Sequence, residues 1–152
     1  MQRRKDRRQN KNTLHPSSHF EKVKQSTMIE NDLSKLVIGF CIEIHRELGP
    51  GLFESVYEEV LCYKLSKNGF NIKRQKPIPV IYEEVKLEMG FRADIIVENK
   101  LIIEIKSVEN IHDVHKKQLL TYLRLTDIKL GLLINFNESL LRHGITRVVN
   151  NL

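Results

Sequence analysis

Asp94, followed on the next apolar segment by Glu104-Ile105-Lys106, offers two carboxylates and an amine on two short stretches of strand-forming residues. Alternation along a strand sends Glu104 and Lys106 to one face and Ile103 and Ile105 to the other. Hard divalent cations prefer carboxylate oxygens. An ammonium beside them can orient or help deprotonate a water and balance the charge that builds on a phosphate under attack. The same pattern also describes a half-buried hairpin with polar residues toward solvent, so the spacing alone leaves both readings open. Strand parity sharpens the question. In a direct hairpin, opposed residues share a face and their numbers have a constant sum. A two-residue turn at Asn99-Lys100 sends Asp94 away from Glu104, whereas a three-residue loop, Glu98 to Lys100, opposes them. The chemistry therefore predicts the odd-length loop or an equivalent bulge, with Asn99 or Lys100 in or near the left-handed region.

Other polar groups fall at helical spacing. Gln118 and Tyr122 lie one turn apart and share a face, where they can align a water and a phosphate, or be a solvated amide and a core-edge aromatic. Glu54 is either a favourable carboxylate in the first turn of a helix or a further metal ligand or water-orienting group facing Asp94 and Glu104. Tyr57 poses the same question. His112 and His115 share a helical face without a third partner, which argues against zinc. His115 lies within reach of a phosphate or is simply a polar residue at a helix start. His45 stands near the end of a helix, where a cation suits the negative terminus.

The elements that must carry these groups follow from periodicity. Leu33, Leu36, Val37, Phe40, Cys41, Ile44 and Leu48 predict an amphipathic helix with Asn31 and Asp32 as caps and Gly49-Pro50-Gly51 as its stop. A second helix is predicted from Phe53 to Asn68, with Val56, Tyr57, Val60, Leu61 and Leu65 inward and Gly69 as a left-handed stop. The two should pack on one side of a sheet. Phe70 to Lys76, Ile78 to Tyr82, Val85 to Leu87, Phe91 to Val97 and Leu101 to Lys106 read as strands. A third helix spans His112 to Leu125, with Leu119, Leu120 and Leu123 as its packing stripe. Leu130 to Asn135 reads as a strongly apolar strand and Ile145 to Val149 as an edge strand.

The chain has 152 residues, 41% of them hydrophobic, which suits one domain with a real core. No apolar run is long enough to cross a bilayer or to act as a secretory signal, so the expectation is a cytoplasmic protein with no membrane partner. Cys41 and Cys62 fall within helical apolar patterns and read as buried, reduced thiols. Residues 1–30 hold 8 Lys and Arg against 3 Asp and Glu, and the remainder holds 17 against 16, so +5 of the +6 formal charge lies in the first 30 residues. These are expected to form a disordered basic arm, with Arg3, Arg4, Lys5, Arg7 and Arg8 able to hold phosphates non-specifically. The alternative is a solubilising or start-site extension without function. Residues 31–152 form the folded domain.

Taken together, Gly51-Leu-Phe-Glu54-Ser-Val-Tyr57, Asp94, Glu104-Ile-Lys106 and Gln118-Leu-Leu-Thr-Tyr122 resemble the GxxExxY family of the PD-(D/E)XK nuclease superfamily, over about Leu33 to Val149. Glu43-Ile-His-Arg-Glu-Leu-Gly-Pro-Gly51, Phe91-Arg-Ala-Asp94 and Gly131-Leu-Leu-Ile-Asn-Phe136 also fit it. The resemblance implies an α/β domain with a restriction-endonuclease-like core, a mixed central sheet flanked by helices. It implies that Asp94, Glu104 and Glu54, with the Ile105 carbonyl, hold magnesium, with manganese as a substitute, and that Lys106 serves the attacking water. Gln118 and Tyr122 complete the catalytic set, and Arg92 and His115 are expected to meet the nucleic acid. The implied activity is a magnesium-dependent phosphodiesterase acting on DNA. The Gln-x-x-x-Tyr helix is similar to that of helicase-associated and phage exonuclease domains, which implies trimming of ends. The rival expectation is a non-catalytic module of the same fold that binds nucleic acid or protein, and RNA stays open as a substrate because nothing here reads a 2′-hydroxyl. The oligomeric state is left open.

Overall fold

The computed structural model describes Gln25 and residues 27–88 and 90–152. The expected arm residues Arg3, Arg4, Lys5, Arg7 and Arg8 lie outside the described residues.

Helix α1 (Glu30–Leu48) buries Leu33, Val37, Cys41 and Ile44 at steps of four, four and three, the stripe its periodicity predicts. Leu36 and Leu48, expected inward, are exposed at its margin. Its cap is Ile29 rather than Asn31 or Asp32, because the extended backbone of Ile29 starts the helix earlier and its carbonyl accepts the Leu33 amide. Glu30 and Asp32 instead place negative charge in the first turn. The folded body thus reaches back before residue 31: Met28 packs against the core and its carbonyl accepts a bond from Lys100 Nζ at 2.8 Å.

Helix α2 (Glu54–Lys67) buries Tyr57, Glu58, Leu61, Cys62 and Leu65. Val56, expected inward, is exposed, because the Tyr57 ring stacks on Phe136 at 4.3 Å and 14° and fixes the rotation of the helix. Gly69, at φ 82, ends this region as predicted. Burial pushes the Cys41 thiol up to about 12 and the Cys62 thiol up to about 11, so both are unreactive, as expected of packed cysteines.

Strands β1 (Ile72–Pro77), β4 (Arg92–Val97), β5 (Leu101–Lys106), β6 (Leu130–Asn135) and β7 (Ile145–Val149) form one sheet in the order β1-β4-β5-β6-β7, while β2 (Val80–Tyr82) and β3 (Val85–Leu87) make a separate hairpin. Among the described residues only β5 and β6 pair in parallel. Parallel neighbours require a crossover, which helix α3 (Asp113–Thr126) supplies. The β6 strand lies between two others, and all six of its residues are buried, which is why it reads as an unbroken apolar run.

Two apolar layers sandwich the sheet. Leu101, Ile103, Ile105, Leu130, Leu132 and Ile134 pack against α1 and α2. Ile96, Ile102 and Leu133 pack with Leu119, Tyr122 and Leu123 of α3. The result is the expected α/β fold, a mixed and mostly antiparallel sheet between helices, consistent with a restriction-endonuclease-like core.

Candidate active site

The β4–β5 hairpin pairs Ile95 with Ile103, Ile96 with Ile102 and Val97 with Leu101, a constant sum of 198. Its loop is Glu98 to Lys100, with Glu98 and Asn99 both at positive φ, 53° and 52°. The odd-length loop therefore forms, and Asp94 falls opposite Glu104.

The ladder stops at Ile95, and the two carboxylates take over where it stops. Asp94 N–H donates to Glu104 Oε1 at 3.1 Å and Ile105 N–H donates to Asp94 Oδ2 at 2.9 Å. Backbone donors that an unbroken ladder would satisfy are satisfied by acidic side chains instead, so the strands part around the site without leaving these amides unpaired. Alternation slips at the same point: Ala93 joins the α3 layer together with Ile96, while Ile95 joins the layer beneath α1 and α2. Asp94 acts electrostatically on Tyr122 of α3 and also on Cys62 of α2, so the opening is felt on both sides.

Glu104 is only 6% exposed. Burial, and then the negative charge of Asp94, push its carboxyl up to about 8, against the opposing pull of the Asp94 amide and the Lys106 ammonium. Two carboxylates in contact, one of them buried, lack positive charge, and an all-oxygen acidic donor pair of this kind fits a hard divalent cation. Lys106, on the same face one alternation further along, forms no ion pair with a carboxylate among the described residues.

The third carboxylate sits apart. Glu54 Oε1 accepts the Ser107 amide at 3.2 Å, and Ser107 Oγ donates to the Leu52 carbonyl at 2.6 Å. Among the described residues, no three His, Cys, Asp or Glu side chains gather as a metal site, so Glu54 is not brought in as a third ligand beside Asp94 and Glu104. Its position at the start of α2 ties it to the end of β5, immediately after Lys106. Tyr57 secures that junction, donating from its hydroxyl to the Gly49 carbonyl at 2.5 Å and accepting the Leu52 amide at 3.2 Å. Gly49 and Gly51, at φ 72 and 90, make the turn that this latch closes.

Helix α3 closes the opposite side. Gln118 Nε2 donates to the Tyr122 hydroxyl at 2.9 Å. Burial first, and the Glu104 charge second, raise the Tyr122 phenol, which stays protonated. His115 Nδ1 accepts the His112 amide at 3.1 Å in a capping box, and burial followed by the Lys106 charge lowers its pKa. It is therefore a neutral ring near Lys106 and Glu54. Arg92 is exposed at the mouth of β4. His45 stands in the last turn of α1, where it was expected, and its Nε2 lies 2.7 Å from the Glu138 carbonyl, which can only accept, so Nε2 carries a proton.

Three residues absent from the sequence-based candidates support this centre. Gln75 reaches Asp94 from β1, and Glu58 of α2, 7% exposed, accepts a second bond from the same Gln75 amide. Asn135, fully buried, accepts the Val108 and Asn137 amides at 3.1 and 3.2 Å and donates to the Val108 carbonyl at 2.9 Å, fixing the chain as it leaves β5. A polar residue ending an apolar strand was the available signal for Asn135. Glu58 had only its place on the helical stripe of Tyr57, Leu61 and Leu65 to mark it.

A mixed sheet whose neighbouring strands part around two carboxylates, with a lysine on the second strand, defines a nuclease-type α/β fold. A family model for the PD-(D/E)XK nuclease superfamily matches residues 31–148, and the chain belongs to that superfamily. No curated protein and no solved structure matches it. No helix among the described residues is long and apolar enough to cross a membrane.

Proposed function

We propose that the protein is a magnesium-dependent DNA phosphodiesterase of the GxxExxY type that trims DNA ends in the cytoplasm. The observation that carries this reading is the apposition of Asp94 and Glu104 at the parting of β4 and β5, with Lys106, which forms no ion pair with a carboxylate among the described residues, on the same strand face as Glu104. Asp94 and Glu104 would hold the cation, which when bound supplies Lewis-acid polarisation of a phosphoryl oxygen and makes water more acidic. Manganese is a suitable substitute.

The protein's own residues then do the rest. Lys106 orients a water and balances charge on the phosphate as a new P–O bond forms and the ester P–O bond breaks. Gln118 and Tyr122 form a donor pair beside the carboxylates that aligns water and phosphate. Glu54 and Ser107 hold the strand end from which Lys106 projects, and Arg92 and His115 flank the path of the nucleic acid. The DNA substrate and the end-trimming mode are supported by the likeness of the Gln118-to-Tyr122 helix to that of exonuclease domains.

The deciding experiment incubates the full chain with single-stranded, duplex and nicked DNA and with RNA, in magnesium, manganese or calcium. Progressive shortening of DNA in magnesium, with binding but little cutting in calcium, is expected. Binding without cleavage in magnesium or manganese, from mildly acid to alkaline pH, would instead define a non-catalytic module. Preferential cutting of RNA would reassign the substrate.

A further inference from the structure

The β1 strand breaks its pairing at one residue. Arg74 pairs with Ile95 and Lys76 with Ala93 in the same register, yet Gln75 and Asp94 between them do not pair. Gln75 stands at φ 50, in the left-handed region, in the middle of a strand that runs on to Pro77. Few residues with a side chain adopt that conformation, and such departures gather at functional sites.

The side chain shows what accompanies the distortion. Gln75 Nε2 donates to Asp94 Oδ1 at 3.2 Å and to Glu58 Oε1 at 2.9 Å. Both partners are carboxylate oxygens, which only accept, so the nitrogen of the amide must lie between them. Asp94 is thereby gripped by donors from both neighbouring strands, Gln75 on β1 and the Ile105 amide on β5. Each of its oxygens has a second lone-pair direction for a cation. Glu58 is itself held, since Oε1 also accepts Arg74 Nε at 3.2 Å.

We propose that Gln75 is a positioning residue that sets the orientation of the Asp94 carboxylate, with buried Glu58 as the anchor holding the Gln75 amide in place. This rests on the reading of Asp94 as a cation ligand. Outer partners of a ligating carboxylate tune affinity without touching the ion. The left-handed backbone at Gln75 gives the proposal a separable signature. Glycine accepts that conformation freely and alanine does not, while neither supplies the amide.

The test uses the full chain, with manganese as the probe. Gln75→Gly and Gln75→Ala should each bind manganese roughly 10- to 100-fold more weakly, and the glycine variant should melt at the higher temperature of the two. Glu58→Gln should weaken manganese binding in the wild-type background and add nothing in the Gln75→Gly background. In EDTA, a double-mutant cycle of Gln75→Gly with Asp94→Asn should show coupling of at least about twofold in the unfolding equilibrium constant. Manganese affinity within twofold of wild type in Gln75→Gly, or an additive cycle, overturns the proposal. If wild type binds no manganese, the cation-site reading fails, while the cycle in EDTA still decides whether Gln75 holds Asp94.

Discussion

Glu104 couples the chemistry of the site to its pH behaviour. Its folded-state carboxyl titrates at about 8, above the roughly 4.3 of an unfolded glutamate. Between those values the folded chain binds more protons than the unfolded one. The stability contribution is therefore full below about pH 4 and is lost as pH rises through about 8. In EDTA the melting temperature should fall from mildly acid pH to about pH 8 and then level, and Glu104→Gln should flatten that fall. A slope that survives the substitution would place its source elsewhere. Manganese competes with the same proton, so its affinity should rise over the same range. In the proposed mechanism Lys106 separates binding from chemistry. Lys106→Ala should keep manganese affinity and lower the cleavage rate by roughly 10²- to 10³-fold, whereas Asp94→Asn should lose both. Asp94, Glu104 and Lys106 were legible in the sequence because strand parity fixes which residues share a face. Gln75 was not, since nothing in Arg74-Gln75-Lys76 announces a left-handed residue inside a strand.

At the scale of elements, the position of α3 depends on a glycine. A Cβ on Gly131 of β6 would stand 2.9 Å from Leu119 Cγ and Cδ1, so the bare glycine lets α3 pack close on the sheet, where Tyr122 feels the Glu104 and Asp94 charges. Gly131→Val should cost about 1–3 kcal/mol as overpacking, and it should lower activity by displacing α3, read by chemical denaturation alongside cleavage rates. A loss of stability with full activity per folded molecule would remove α3 from the proposed catalytic arrangement. The junction before α2 has an equally local latch. Tyr57→Phe leaves the Gly49 carbonyl and the Leu52 amide without their hydroxyl partner and should cost about 1–3 kcal/mol. Elements with strong periodicity were readable to within a residue or two, as at β5, β6 and α3. The N-terminus of α1 was misplaced because Asn31 and Asp32 carry cap-forming side chains, yet the backbone begins its helix after Ile29. On α2 the inward positions Tyr57, Leu61 and Leu65 were readable, whereas Val56 was placed inward because it is as apolar as they are, and only the distant Phe136, stacked on Tyr57, turns it outward.

For the whole molecule, charge is divided by position along the chain. Residues 1–24 hold 8 Lys and Arg against 2 Asp and Glu, and residues 25–152 hold 17 of each, so the body is formally neutral. A neutral body with two carboxylates at its centre has no compositional attraction for a polyanion, and the long-range pull on DNA should come from residues 1–24. Each phosphate neutralised by a cationic side chain releases counterions and steepens the fall of affinity with salt, by about 0.9 per contact on duplex DNA. Deleting residues 1–24 should weaken binding at low salt and flatten the plot of log affinity against log salt by several such increments. That deletion stops before Gln25, whose amide donates to the Asn68 carbonyl, and before Met28, which packs on the core. Turnover at saturating DNA should persist, because Asp94, Glu104 and Lys106 are untouched. An unchanged salt slope would move the phosphate contacts onto the body, where Arg92, Lys73 and Lys76 near the outer end of β4 and along β1 are the next residues to test.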